Sequence, residues 1–341
     1  MAALTRRRFV RKLAATGAGS LFAINILSSR ARGAEFVLKY ANQQPVTNPI
    51  NLRAKEAVEK IRQQTNGSVE IQIFPNNQLG SDTDMISQLR SGAIDFMTET
   101  GALTENLVPT GSINGVGFAF PDYPSVWKAM DGDLGALVRA AFAKANLHCF
   151  ERIWDNGFRQ ITTGTKPINT PDDLTGFKIR VPVSPIQVSL FRSLGAAPTS
   201  LPIKEVYSAL QTRLADGQEN ALVLIEVFKF YEVQKYCSLT GHMWDGFWML
   251  ASGKSWNRLP KEAQEIISRN WNEAALLQRE DSEKLDKSLQ AILSSKGMVF
   301  NRPDVEPFRA KLRASGFYKE WREKFGDEAW QVLEKYTGKL A

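Results

Sequence analysis

The chain has 341 residues, of which 43 are Lys or Arg and 36 are Asp or Glu. Seven of the basic residues and none of the acidic ones fall within residues 1–34, so residues 35–341 carry 36 of each and have no formal net charge. This balance argues against a nucleic-acid-binding protein, because no basic tract remains that could follow a phosphate backbone. The length exceeds what one compact core usually holds and predicts two lobes.

The first residues have the pattern of an export signal. Three consecutive arginines, Arg6 to Arg8, precede a largely apolar segment from Leu13 to Leu27 that is too short and too weakly apolar for a membrane-spanning helix. Small residues predict cleavage near Gly33 or Ala34. We therefore predict a signal peptide over residues 1–34, of the twin-arginine type, and a periplasmic location. A signal for the general secretory route and an uncleaved anchor are the alternatives.

Residues 35–98 alternate between strand and helix patterns. Strands are predicted over residues 35–41, 69–74 and 94–98. Asn51 is predicted to cap the helix between the first two strands, and Ser81 with Asp84 forms a capping box at the start of the second helix. The alternation predicts an α/β fold with a mainly parallel sheet and helices on its faces.

Gln43 and Glu99 follow two of these predicted strands. Ligands bind to open α/β sheets beyond the C-terminal ends of the strands, so both residues are candidate ligand contacts. Glu99 would accept a hydrogen bond from a ligand hydroxyl or ammonium group. The alternative is that Glu99 is a solvated acid in a loop.

The centre of the chain continues the alternation. Its patterns predict a helix over residues 127–145, strands over 147–153 and 178–181, helices over 185–194 and 203–214, and a strand over 221–225. The polar segment Asp155 to Gly157 is interpreted as the first hinge between the lobes, with a second hinge at Gly246. Asn220 follows a helix end, where its side-chain amide would be placed to bind ligand oxygens.

Residues 260–296 predict one long helix that ends at Gly297. Such a helix would be about 55 Å long, more than the width of one lobe, so we predict that it crosses the backs of both, with a bend near Glu280 as an option. Short amphipathic helices are predicted over residues 305–340. The predicted architecture is a two-lobed α/β binding-protein fold of the flytrap type with hinge strands. Lobe I is assigned residues 35–156 and 246–280, and lobe II residues 157–245 and 281–341.

Arg180 lies between Ile179 and Val181, in a run that has the pattern of a strand buried on both faces. A buried guanidinium needs an acceptor, and its planar set of donors matches a carboxylate. The partner is either an acid of the protein or an anionic ligand. Composition alone favours an internal salt bridge or a side chain that reaches the surface.

Five segments allow comparison with known families. They are WDNGFRQITT, PINTPDDLTGFKIRVPVSPIQVSLFRSLGAAP, EVYSALQTRLADGQENAL, FYEVQKYCSLT and FPNNQLGSDTDMISQLRSGAIDF. Together they closely resemble the solute-binding proteins of tripartite ATP-independent periplasmic (TRAP) transporters. The resemblance implies two lobes that close on a small organic acid, with Arg180 holding the carboxylate and with Arg159 and Asn220 also contacting the ligand. It also implies delivery of the acid to the membrane subunits of a TRAP permease.

Trp154, Trp244 and Phe247 form a further group of candidates near the predicted hinges. Core packing is the simpler explanation for large aromatic side chains, but beside a hinge they could enclose the apolar body of a ligand. They favour a monocarboxylate with an aromatic or branched body, while a hydroxy acid, a dicarboxylate and a sugar acid stay open. Ala221, where many family members have Pro, adds to the open question of ligand identity.

The sequence has no pattern typical of an enzyme. Its two histidines, His148 and His242, lack metal-ligand spacing, and no G-x-S-x-G motif is present. Cys149 and Cys237 lie in separate apolar runs, which favours two buried free thiols, with a disulfide bridge as the alternative in an oxidising compartment. We therefore expect no metal and no cofactor. The main alternative function is a periplasmic sensor subunit that presents the bound acid to a signalling receptor, and a weaker one is a secreted lyase or hydrolase.

Overall fold

The computed structural model describes residues 34–340 and is built on one mixed sheet of ten strands. The strands are β1 Phe36–Ala41, β2 Val69–Phe74, β3 Phe96–Thr100, β4 Leu147–Cys149, β5 Trp154–Thr163, β6 Lys178–Val181, β7 Ala197–Ser200, β8 Gly217–Ala221, β9 Tyr236–Ser252 and β10 Val299–Asn301. The main order across the sheet is β2-β1-β3-β9-β5-β8-β6-β7, and β4 and β10 also pair with β9. The predicted signal peptide lies outside the described residues apart from Ala34.

The two ends of the sheet are parallel, and its centre is antiparallel. Strands β2, β1 and β3 are parallel, as are β8, β6 and β7. Between them, the 17-residue strand β9 runs antiparallel to both β3 and β5, and β5 runs antiparallel to β8. The α/β fold is confirmed, but the prediction of a mainly parallel sheet is correct only for the two ends.

Thirteen helices of the described chain cover this sheet. They are α1 Pro49–Gln64, α2 Asp82–Ser91, α3 Gly101–Thr104, α4 Tyr123–Met130, α5 Asp133–Lys144, α6 Pro185–Ser193, α7 Val206–Gln211, α8 Leu222–Val227, α9 Gly253–Trp256, α10 Lys261–Ser295, α11 Glu306–Ser315, α12 Phe317–Phe325 and α13 Asp327–Thr337. Among residues 34–340, no helix combines the length and the apolar character that a membrane span needs.

The long helix α10 has 35 residues and lies within one residue of its predicted bounds at each end. It packs against α1 and β5, and also against α8 and β10. Its buried residues Ile267 and Trp271 belong to one hydrophobic cluster with β1 and α1, whereas Leu289 and Leu293 belong to another cluster with α8. One continuous helix therefore contributes to two separate parts of the core.

Several local predictions need correction. Asn48, not Asn51, caps α1, because Pro49 is suited to the first turn and the Asn48 side chain accepts a hydrogen bond from the Ile50 amide. Asn51 is instead buried and bonded to Asn42. The helix predicted over residues 127–145 is two helices separated at Gly132.

Two more boundaries differ from the predictions. The helix predicted over residues 203–214 is a short 3-10 turn followed by α7, and it ends before Arg213, whose φ of 60° is left-handed. Asn220 lies inside strand β8, and the segment 222–227 that follows is helix α8. The strand predicted over residues 221–225 is therefore wrong.

The two predicted hinge positions lie opposite each other in the centre of the sheet. Asp155 of β5 pairs with Gly246 of β9, and Gly157 pairs with Asp245. The register shifts between these two pairs, which marks a β-bulge, and Gly157 has a φ of 108° that favours glycine. Cys149 and Cys237 are both buried and free, as predicted.

Candidate functional site

Five of the eight predicted site residues line one small cavity at the centre of the sheet. They are Gln43, Arg159, Arg180, Asn220 and Phe247. The lining residues that were not among the predicted ones are Asp82, Thr100, Leu103, Asn156, Pro182, Ile203, Leu224 and Asp245. The cavity has about 20 Å³ of free space, which is enough for roughly one water molecule.

The topology explains how distant residues meet here. Gln43 follows β1, Asp82 begins α2 and Thr100 ends β3, so these residues come from the C-terminal edge of the parallel strands, as predicted. Arg159 and Asn220 come from the antiparallel pair β5 and β8. Strand β6, which carries Arg180, lies on the far side of β8.

Arg180 is buried and forms no salt bridge with the described acidic residues. Its Nε donates to the carbonyl oxygen of Leu201 over 2.9 Å, and its Nη2 donates to the same oxygen. Its Nη1 has no partner in the described part of the chain. Burial lowers the pKa of Arg180 to about 9, so the guanidinium stays charged at neutral pH. The geometry thus leaves a positive charge and a donor beside the cavity.

Arg159 is equally buried but is already paired with two acids. Its Nε and Nη2 donate to the carboxylate of Glu219, over 2.5 and 2.7 Å, and its Nη1 donates to Asp245 over 2.9 Å. Burial opposes the charged form, but the two carboxylates outweigh it and raise the pKa of Arg159. Arg159 is therefore held in place by the protein itself.

Glu219 is the centre of this buried network. It also accepts hydrogen bonds from Gln187, and His242 Nε2 lies 3.0 Å from its Oε2. Burial alone would raise the pKa of Glu219, but Arg159 and the His242 hydrogen bond outweigh burial and lower it to about 2. Burial lowers the pKa of His242, which favours a neutral ring that donates from Nε2.

Glu99 is placed differently from its prediction. It lies within β3, is fully buried and does not line the cavity. Its Oε1 accepts hydrogen bonds from Gln43 Nε2 over 3.1 Å and from the Thr100 amide over 2.7 Å. Burial, followed by the nearby Asp82 charge, raises the pKa of Glu99 well above its usual range. Glu99 is therefore neither a solvated acid nor a direct lining residue, and it positions Gln43.

Trp154 and Trp244 do not line the cavity. Trp154 is fully buried, and its ring packs 6.3 Å from that of Trp271 in the core beneath α10. Trp244 packs edge-on against Trp127 at 5.3 Å and donates from Nε1 to Asp155 over 3.0 Å. Of the three predicted aromatic residues, only Phe247 reaches the cavity. The structure thus places both tryptophans in the protein core.

The most informative lining residues that sequence reasoning missed are Asp82 and Asp245. Asp82 is the first residue of α2, directly after the capping residue Ser81, and no sequence signal marks it as a ligand contact. Asp245 lies among aromatic residues, where a buried acid is unusual unless it is paired. The position of Asp245 among aromatic residues could have identified it, because a buried acid implies that a cation or a ligand lies nearby.

A larger open groove of about 680 Å³ lies elsewhere and contains none of the eight predicted residues. It is lined in part by Phe158 and Gln160, which flank Arg159 on β5 and therefore point to the opposite face of the strand. We assign the site to the small cavity because the buried charges converge there. Among residues 34–340, no three His, Cys, Asp or Glu side chains are grouped to hold a metal ion.

Comparison with known proteins supports the resemblance seen in the sequence. The family model for bacterial extracellular solute-binding protein, family 7, matches residues 40–324. The 2,3-diketo-L-gulonate-binding periplasmic protein YiaO of Escherichia coli is 31% identical over 252 residues, which are 73% of this chain and 76% of that protein.

Solved structures match the fold closely. A TRAP periplasmic solute binding protein from a Sulfitobacter species, with bound β-D-galacturonate, has a TM-score of 0.84 and 26% identity, over 89% of this chain and 100% of that one. A second one, from Sulfurospirillum deleyianum with bound succinate, has a TM-score of 0.82 and 27% identity, over 89% and 99%. The chain thus has the two-lobed α/β fold of these proteins. It belongs to the bacterial extracellular solute-binding protein family 7, as a TRAP solute-binding protein and not an enzyme.

Proposed function

We propose that this protein binds a small organic acid in the periplasm, with Arg180 holding the carboxylate, and delivers it to the membrane subunits of a TRAP permease. The observation that carries the proposal is the state of Arg180. It lines the cavity, is 1% exposed and has a free Nη1 among the described residues. A buried charge without a counter-ion is costly, and a ligand carboxylate would offset that cost.

Arg159 and Asn220 complete the proposed ligand contacts. Arg159 lines the same cavity, where Glu219 and Asp245 balance its charge. Its donors are largely taken by Glu219 and Asp245, so its contribution to binding is secondary to that of Arg180. Asn220 donates to Gln218 and lines the cavity, where its amide can also bind a ligand oxygen.

Ligand entry requires the cavity to open, because about 20 Å³ is far less than an organic acid occupies. The lining residues divide between the two proposed lobes. Gln43, Thr100 and Phe247 belong to lobe I, and Arg180 and Asn220 belong to lobe II. We propose that the lobes separate to admit the acid and close on it, because only the closed form makes contacts from both sides.

The relatives support the chemical class of the ligand. Galacturonate and succinate, which are bound in two of the similar structures, are both small carboxylates. The similar proteins are periplasmic, in agreement with the export signal predicted over residues 1–34. Export, cleavage near Gly33 and partnership with a permease are parts of this proposal.

A thermal-shift screen tests the proposal most broadly. The mature protein is heated with a panel of monocarboxylates, dicarboxylates, hydroxy acids and sugar acids, and with uncharged sugars of similar size. A ligand at one hundred times its Kd stabilises the folded state by about 2.7 kcal/mol, so a true ligand raises the unfolding temperature clearly. We expect carboxylates alone to do so. Stabilisation by uncharged sugars and by no acid would overturn the proposal.

A further inference from the structure

The cavity contains unsatisfied acceptors as well as the unsatisfied donor of Arg180. Asp245 Oδ1 and Asn156 Oδ1 are buried and have no hydrogen-bond partner among residues 34–340. Both residues line the cavity and are only 1% and 4% exposed. A buried polar atom without a partner is destabilising, so both atoms favour a ligand that brings donors.

The orientation of the two side chains is held by the protein. Asn156 Nδ2 donates to Asp245 Oδ2 over 3.3 Å, and Arg159 Nη1 donates to the same carboxylate oxygen over 2.9 Å. These contacts occupy one oxygen of Asp245 and the amide nitrogen of Asn156. The atoms that remain for a ligand are therefore the two acceptors.

The charges around the cavity also favour a ligand with a single carboxylate. Among the described residues, two buried acids, Asp82 and Asp245, line the cavity together with the two buried arginines, and the buried Glu219 is paired with Arg159. One ligand carboxylate is matched by Arg180. Arg159 already pairs with Glu219 and Asp245, so a second carboxylate would find no unpaired cation among the described residues that line the cavity, and it would lie beside the acidic side chains of Asp82 and Asp245.

We propose that the ligand is a monocarboxylate that also carries a hydrogen-bond donor, either a hydroxyl or an ammonium group, and that Asp245 and Asn156 accept this donor. The inference rests on the proposed function, because it presumes that Arg180 holds the carboxylate. It assigns ligand selectivity to Asp245 and Asn156. The inference therefore disfavours two ligand classes named in the sequence analysis, an apolar aromatic acid and a dicarboxylate.

A matched ligand series tests this selectivity on the unmodified mature protein. Hexanoate, 6-hydroxyhexanoate, 6-aminohexanoate and adipate have the same carbon chain and differ only in the terminal group. Glucuronate and glucarate form a second pair, with one and two carboxylates on the same sugar skeleton. Isothermal titration gives the Kd of each compound.

The members that carry a donor and one carboxylate should bind at least about tenfold more tightly than hexanoate or the dicarboxylate of the same series. Comparison of 6-hydroxyhexanoate with 6-aminohexanoate then shows whether the site prefers a hydroxyl or an ammonium donor. Equal or tighter binding of hexanoate, adipate or glucarate would overturn the inference and leave the proposed function standing. If no acid of either series binds, and the wider acid panel gives no thermal shift, the proposed function falls with it.

A pair of variants locates the selectivity. Asn156→Leu replaces the amide with an apolar side chain of the same number of heavy atoms, which removes both the acceptor and the Nδ2 donor to Asp245, and it should reduce the preference for glucuronate over hexanoate by about fivefold or more. Asn270→Leu is the matched control, because Asn270 is also buried with an unpartnered Oδ1 in the described chain but lies on α10, away from the cavity. An unchanged preference in Asn156→Leu would contradict the assignment. If that variant does not fold, the ligand series on the unmodified protein still decides.

Discussion

Arg159 and Arg180 line the same cavity, but among the described residues only Arg159 is paired with acidic side chains. Both are buried, at 2% and 1% exposure, and both lie on strands that flank β8. Arg159 is neutralised by Glu219 and Asp245, whereas Arg180 bonds only to the Leu201 carbonyl among the described residues. Burial of a guanidinium therefore does not reveal its role. The hydrogen-bond partners indicate the role. Arg159 has acidic partners and stabilises the protein, whereas Arg180 has none among the described residues and can bind a ligand.

Loss of the paired arginine should have the largest effect on stability. Arg159→Met leaves Glu219 and Asp245 buried without a cation, and breaking a buried ion pair in this way costs about 3–5 kcal/mol. Urea unfolding of the ligand-free protein measures the loss. A variant as stable as the wild type would contradict the structural role of Arg159 and remove the contrast with Arg180.

A double variant sharpens this result. Glu219→Gln in the Arg159→Met background removes one of the two stranded charges and keeps the shape of the side chain. We expect it to recover part of the lost free energy of unfolding, because the cost comes from uncompensated charge. No recovery would mean that the loss in Arg159→Met comes from packing.

A smaller effect is expected from an acid that lacks a cation. Asp155 is buried and accepts a hydrogen bond from Trp244, and burial raises its pKa to about 7. Since the folded pKa lies above the unfolded value of about 3.9, its neutral form adds stability below about pH 4, and this contribution is lost as the pH rises through about 7.

Asp155→Asn should therefore gain stability relative to the wild type as the pH rises, by an amount on the order of 2 kcal/mol between pH 5 and 8. Urea unfolding at several pH values provides the comparison. Subtracting the wild-type curve from the Asp155→Asn curve cancels the contributions of other groups that titrate in this range, such as Glu105, whose pKa burial raises to about 7. A difference that stays constant with pH would show that Asp155 titrates normally in the folded protein.

The smallest effects are expected from substitutions of the aromatic residues, and they should differ between Phe247 at the cavity and Trp154 in the core. Trp154→Phe should lower the free energy of unfolding by about 1 kcal/mol and change ligand affinity by less than about twofold, because Trp154 packs beside Trp271. Phe247→Leu should weaken ligand binding by about threefold to tenfold, since Phe247 lines the cavity. Titration of both variants with the same ligand tests the distinction, and equal losses of affinity would contradict it.

Much of the local structure was predictable because its causes are local. The capping box of Ser81 and Asp84 starts α2 at the predicted residue, and β2 has the predicted bounds Val69–Phe74. The 35-residue α10 follows from a long stretch without glycine. Each of these signals lies within a few residues of the element that it controls.

The partners in the site were not predictable in the same way. Arg159 meets Glu219, 60 residues away, only because β5 pairs with β8 in one particular register. The bulge between Asp155 and Gly157 changes which side chains of β5 face the cavity. Its position near the predicted hinge made Trp154 a candidate ligand contact, with core packing as the simpler explanation, and the structure places Trp154 in the core. Sequence reasoning identified the arginines but could not tell which one was already neutralised.

The central claim is that Arg180 is the anchor for the ligand carboxylate, and titration of Arg180→Met tests it most directly. The wild type and the variant are titrated with the strongest acid from the thermal-shift screen, after circular dichroism and ligand-free unfolding have shown that both are folded. We expect affinity to fall by at least about thirtyfold, since losing a buried charged hydrogen bond costs about 2–5 kcal/mol. A folded Arg180→Met variant that binds the acid with wild-type affinity would contradict the claim.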